Sequence, residues 1–185
     1  MHPLRAHSLC CTGLLLWLLA ATAFAQPEAA ASSSSASEAA HATLLRFADF
    51  YRLPMGSKGV EMTQTLLQSN GHRVRLSGYM VQQEQPARGH FMLTPRPVRM
   101  SEHADGDADD LPAAWAMVYL DAQQQNLAIP YQRGLVELSG VLSVGRLEEA
   151  DGRVSWVRLQ LGADATRGMN AFEVSNYLHA QQHTH

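Results

Sequence analysis

A mainly β chain, with five strands closing into a small barrel behind one or two short helices, is what this sequence predicts. Three observations carry that expectation. The pattern Val-x-Leu-Ser-Gly occurs twice, as Val74–Gly78 and Val136–Gly140, and each copy alternates apolar and polar residues before reaching a glycine. Alternation of this kind marks a half-buried strand, and the glycine marks a place where the strand bends or another backbone comes close. Three further alternating or short apolar runs, bounded by proline, glycine and acidic turns, stand between and after the two copies.

The elements follow in order. Residues 1–25 read as a secretory signal peptide: Arg5 without an acid, an apolar core from about Leu9 to Ala21, then Ala23-Phe24-Ala25, which makes Gln26 the expected mature start. The apolar run is short for a bilayer span, and no later segment is apolar enough to cross a membrane. Residues 26–40 are Ala/Ser/Glu low complexity and read as a flexible linker. Residues 41–71 are expected to form a helical lead-in. Leu44, Leu45, Phe47, Ala48 and Tyr51 fall near helical spacing, giving a helix from about Glu38 to Leu53 that Pro54 stops. A second short helix is predicted over about 60–68, ended by Asn70-Gly71.

The barrel is expected over 72–162. The first principal strand is His72–Gln82, with Val74, Leu76, Gly78 and Met80 on one face and Arg75, Ser77 and Tyr79 on the other. His90–Thr94 is the second strand, ended by Pro95 and Pro97, and Trp115–Leu120 is the third. Between them runs a polar loop, 101–112. The connection 121–132 is glutamine-rich and long enough for a turn of helix. Gly134–Leu147 is the second principal strand, and Glu149-Ala-Asp-Gly152 has hairpin-turn chemistry. Arg153–Leu161 returns as the fifth strand, and a parity slip between Val154 and Val157 predicts a bulge near Ser155-Trp156. Residues 163–185 show weak pattern and are expected to be a partly disordered extension.

Five strands, with the first and fourth long and glycine-marked, match the oligonucleotide/oligosaccharide-binding (OB) barrel order. In that order the first and fourth strands are antiparallel neighbours, which would set Arg75 opposite Glu137.

The stretches Asn70-Gly-His-Arg-Val-Arg-Leu-Ser-Gly-Tyr-Met-Val81, Phe91-Met-Leu-Thr-Pro95 and Gly134-Leu-Val-Glu-Leu-Ser-Gly-Val-Leu142 resemble a family of exported bacterial proteins of unknown function. The resemblance covers about residues 66–161 and implies an OB-like domain with a Gly-Tyr-Val/Met strand end and a Phe-Leu-Leu-Val-Pro-like strand. In that family the second strand leads into a Gly-Ala-Cys-Ile-His segment. Here the corresponding stretch, Arg96 to Gly106, has no cysteine, and His103 alone stands near the family histidine. The cysteine's role therefore does not carry over.

Composition narrows the function classes. Cys10 and Cys11 both lie in the signal, so the mature chain has no disulfide, no thiol nucleophile and no thiolate metal site. The whole chain has a formal charge of -3. The mildly acidic mature domain lacks the basic face that nucleic acid requires. No Gly-x-Ser-x-Gly, His-Glu-x-x-His or Walker-type segment occurs, and the chain is expected to be non-enzymatic.

Two groups of candidate site residues remain. Arg75, Tyr79, Trp156 and Arg158 form an aromatic-and-arginine set of the kind OB barrels use to grip polymer chains, here a periplasmic protein or glycan. The alternative is metal handling. His103 with Asp105, Asp107, Asp109 and Asp110 resembles the start of a calcium loop, though position twelve from Asp105 is Ala116 and not glutamate. A solvated acidic loop is the plainer reading. His179, His183 and His185 form a tail able to hold copper or zinc through imidazole. No resident cofactor is expected beyond a weakly held divalent cation.

Overall fold

The structure, a computed structural model, describes residues 42–54, 56, 57, 59–100 and 111–182. The expected signal peptide and linker lie outside the described residues. The elements are β1 (Thr43–Leu45), a 3-10 turn (Phe47–Asp49), α1 (Gln64–Gln68), β2 (Arg73–Met80), β3 (His90–Thr94) and β4 (Ala116–Tyr119). After a second 3-10 turn (Ala122–Gln124) come β5 (Leu135–Glu148), β6 (Val154–Leu161), α2 (Ala163–Thr166) and α3 (Ala171–Ala180).

All six strands join one sheet, and five of them close a ring in the order β2, β3, β4, β6, β5 and back to β2. The β4–β6 pair is parallel; the other ring contacts are antiparallel. The chain is thus mainly β, and the two motif-bearing strands are neighbours, from Arg73 opposite Val141 to Tyr79 opposite Leu135. β1 runs parallel to β2 at Val74–Leu76, on the edge that β3 takes over at Tyr79 and Met80.

Side-chain alternation explains the core. Val74, Leu76 and Met80 from β2 and Val136, Leu138 and Leu142 from β5 are buried, while Arg75, Ser77 and Tyr79 stay partly exposed. They meet Phe91, Leu93, Val118, Val157, Leu159 and Leu161 inside the ring. Leu45, Phe47, Phe50, Val174 and Leu178 join the same core from outside the ring strands. A second apolar cluster, Val81, Met92, Val98, Met100 and Met117, lies on the other face of β3 and β4. The segment 98–100 is held over it by backbone bonds, Gln82 N to Val98 O at 2.9 Å and Met100 N to Gln82 O at 2.8 Å. Both faces of β3 are therefore buried.

Several local expectations change. The stretch read as a helix up to Leu53 is instead β1 and a 3-10 turn in its described part. Leu44, Leu45 and Phe47 sit near helical spacing, but β2 offers an unpaired edge, and pairing there satisfies backbone groups while burying Leu45. The helix predicted over 60–68 is confined to 64–68, because Thr63 caps it, its Oγ1 accepting from Leu66 N at 3.1 Å. Where the sequence has weak pattern, α3 forms. Asn170 and Glu173 cap each other's backbone reciprocally, and Val174 and Leu178, four residues apart, are buried.

The predicted bulge lies on the partner strand. Ser155, Val157, Leu159 and Leu161 are buried in unbroken alternation. The register shift falls between Val144 and Leu147 of β5, where Gly145 takes a φ of 141°. Ser155 keeps the alternation because its hydroxyl is satisfied by Glu149. Arg75 is not directly opposite Glu137: Ser139 is, and Glu137 faces Ser77. Arg75 still reaches Glu137 diagonally, Nε to Oε1 at 3.4 Å, an ion pair whose Nε is misaligned for a hydrogen bond.

Candidate binding groove

The outer face of β2 borders a groove. Ser77 Oγ donates to Glu137 Oε2 at 3.2 Å across the β2–β5 ladder, and Arg75 adds its ion pair to the same carboxylate. Glu137 thereby holds two neighbours of β2 in place. With Leu44, Arg46, Phe47, Ala48 and Pro95, Ser77 and Glu137 line a groove of about 410 Å³. Phe47 and Ala48 also line an adjoining cleft of about 190 Å³ with Tyr51, Arg52, Leu53, Val60, Ala113 and Ala114. Leu53 is 83% exposed and Val60 52%. The rim carries Arg52, ion-paired to Glu61 at 3.8 Å. The surface mixes aliphatic side chains with a few charged ones, Arg46, Arg52 and Glu137.

The four polymer-gripping candidates do not share this surface. Tyr79 lies opposite Leu135, whereas Ser155, the neighbour of Trp156, lies opposite Leu147. Trp156 itself falls at the β5 bulge beside Gly145 and Arg146, so at about 3.3 Å per residue the path between the two aromatics along β5 is about 35 Å. Arg75 and Tyr79 stand on β2 beside the groove; exposed Trp156 and half-buried Arg158 stand on β6 at the far end of β5. Arg158 is committed locally. Its Nη1 donates to Gly145 O at 2.7 Å and Ser155 Oγ at 3.2 Å, and its Nη2 to Ser143 Oγ at 3.1 Å, so it braces the β5 bulge.

Beside it lies a polar network that the sequence did not reveal. Tyr119 and Ser155 both donate their hydroxyls to the Glu149 carboxylate, and the His90 ring lies 5.7 Å from that of Tyr119. No spacing rule links residues 119 and 149; the parallel β4–β6 pairing and the β5–β6 turn bring them together. Burial, and then the hydrogen bond and negative charge of Glu149, push the Tyr119 phenol well above its ordinary value of 10.0. Burial also raises Tyr51 and Tyr177. An unfolded chain loses these protons near pH 10 while the folded chain retains them, so stability is lost as pH rises above about 10. Tyr119→Phe is expected to soften that alkaline loss and to cost about 1.5–3 kcal/mol at pH 7. Urea unfolding at pH 7 and 10.5 reads both effects. Equal alkaline loss in variant and wild type would remove Tyr119 as a contributor.

The metal candidates are only partly placed. His103, Asp105, Asp107, Asp109, Asp110, His183 and His185 lie outside the described residues. His179 stands in the last turn of α3. Among the described residues, no three His, Cys, Asp or Glu side chains are grouped to hold a metal ion. A further cavity of about 180 Å³ at one end of the ring is lined chiefly by Met80, Pro86, His90, Phe91, Ile129 and Tyr131. No described helix is long and apolar enough to cross a membrane.

No family model matches the chain, and no curated protein matches it. Among solved structures it is similar to the crystal structure of a DUF3299 family protein from Pseudomonas aeruginosa PAO1, at 13% identity over 65% of this chain and 93% of that one, with a TM-score of 0.40.

Proposed function

We propose that this chain is an exported, non-enzymatic binding or accessory module of OB-like barrel design, working in the periplasm after removal of residues 1–25, and that a protein segment is its ligand. The observation that carries this reading is the pair of joined grooves over β1, β2 and the first 3-10 turn, with Leu53 and Val60 exposed at their edge. Exposed aliphatic side chains beside a preformed groove favour an apolar partner surface. The separation of Tyr79 from Trp156 favours a protein over a glycan, since a sugar chain needs its stacking platforms within a few residues of each other.

Crosslinking in the cell tests this. A photoreactive residue at Leu53 or Val60 is expected to give one adduct of defined mass, and the same residue at exposed Glu148 to give none. Val60→Glu is expected to weaken the Leu53 adduct about tenfold, the effect of losing one interface anchor. Equal labelling from 53, 60 and 148 would overturn the groove as the binding surface. Fractionation with N-terminal sequencing tests export separately: a mature start at Gln26 in the periplasmic fraction is expected, and a cytoplasmic protein beginning at Met1 would overturn it.

A further inference from the structure

The second apolar cluster has a feature that packing does not require. Met92, Met100 and Met117 are 2%, 5% and 1% exposed, and Met92 and Met117 are directly paired across β3 and β4. The thioether sulfurs of Met92 and Met100 both approach one nitrogen, Nη1 of Arg153, at 3.0 and 3.6 Å. Methionine sulfur is a weak hydrogen-bond acceptor, and in a core it ordinarily fills space against carbon. Here two sulfurs from separate strands of chain converge on one cationic group whose side chain is only 17% exposed. Beside the Asp151 carboxylate, 3.8 Å from Arg153 Nε, they place two soft donors on one positive charge.

We propose that this position is a site for a soft monovalent cation, Cu(I), with Met92 and Met100 as thioether ligands, Met117 alongside, and the Arg153 head group as the charge that steps aside on loading. The chemistry is specific in three ways. Thioethers prefer Cu(I) over harder cations, whereas Zn(II) and Cu(II) seek imidazole and carboxylate. A monovalent ion adds the least charge beside the displaced guanidinium, which Asp151 keeps nearby, and a divalent ion adds twice as much. Thioethers do not titrate, so affinity stays level between pH 7 and 5, unlike that of an imidazole site. The segment 98–100, which carries Met100, is held over the cluster by two backbone hydrogen bonds with Gln82. Arg153 moves toward Asp151, whose carboxylate already lies 3.8 Å from its Nε.

The test is titration of the mature chain, residues 26–185, with Ag(I), a redox-inert stand-in for Cu(I), read through carbon-13 methyl signals of its methionines. The expected result is one saturating equivalent that moves the Met92 and Met100 methyls at both pH 7 and pH 5 and leaves Met80 and Met169 in place. Met92→Leu with Met100→Leu, close in volume, is expected to lose more than about 100-fold in affinity. Arg153→Gln, which removes the competing charge, is expected to tighten binding about tenfold. The proposal is overturned if silver moves no methyl of this cluster, or if affinity collapses at pH 5 as imidazole sites do. Should the double leucine variant fail to fold, Arg153→Gln decides: tighter binding supports the site, and unchanged or weaker binding overturns it.

Discussion

Gly140→Ala is expected to be among the most damaging single substitutions in this chain. Gly140 pairs with Val74 of β2 on one side and Leu161 of β6 on the other, so β5 is held on both edges at that point. A methyl group there would overlap the carbonyl oxygen of Gln160 and stand 2.9 Å from its carbonyl carbon and 3.1 Å from Leu159 Cδ1. Backbone in a paired ladder cannot yield without breaking the β5–β6 register. A loss of about 3 kcal/mol or more in unfolding free energy is therefore expected, at the upper end of overpacking costs. The twin position responds less. An added carbon at Gly78 would meet Phe47 Cε2 at 2.7 Å, Leu93 Cγ at 2.8 Å and Thr94 O at 2.9 Å, two of them side chains able to shift, and about 1–3 kcal/mol is expected. Urea unfolding midpoints measure the pair. A Gly140→Ala protein within about 0.5 kcal/mol of wild type would show that β5 does not pass β6 so closely.

Phe50→Ala is the second. Phe50 is fully buried, its ring 5.0 Å from that of Phe47 and edge-on to Tyr51 at 6.4 Å. It belongs to the segment expected to be a helical lead-in, yet its ring completes the core inside the strands. Emptying that site is expected to cost about 3–5 kcal/mol, a large share of the stability of a domain this size. Leu53, three residues further on and exposed, is the internal control: Leu53→Ala is expected to stay within about 0.5 kcal/mol while weakening partner crosslinking. Thermal and urea unfolding separate the two. Similar small losses at both positions would mean that the N-terminal segment rests on the ring of strands without being part of its core.

The contrast between residues 50 and 53 shows how the grooves are made. β1 pairs with β2, and Leu45, Phe47 and Phe50 are buried where the chain turns. The chain then leaves the core, and Leu53 and Val60 project beside the cleft that Phe47 and Ala48 help to line. The same segment thus completes the fold and frames the groove.

What could be read without coordinates was what depends on near neighbours along the chain. Period-two alternation through 74–80 and 136–142 identified both principal strands and their buried faces, because a strand's faces are set by its own pleat. The repeated glycines were legible as positions of bend or close approach. Ring closure settled the choice: neither has a positive φ, and each sits where another part of the fold would collide with a side chain. The candidate site was legible only in part. Arg75 and Tyr79 fell beside a groove, but their distance from Trp156 follows from register along a long strand, which no local pattern encodes. The exposed Leu53 and Val60, the Tyr119–Glu149 bond and the convergence of Met92 and Met100 on Arg153 each join residues distant in sequence or depend on which side chains the core had already taken. Composition and periodicity determined that this chain makes strands and which faces they bury. Tertiary structure alone decided which strand edge the N-terminal segment would cover and which side chains would meet, because both depend on how the ring closes.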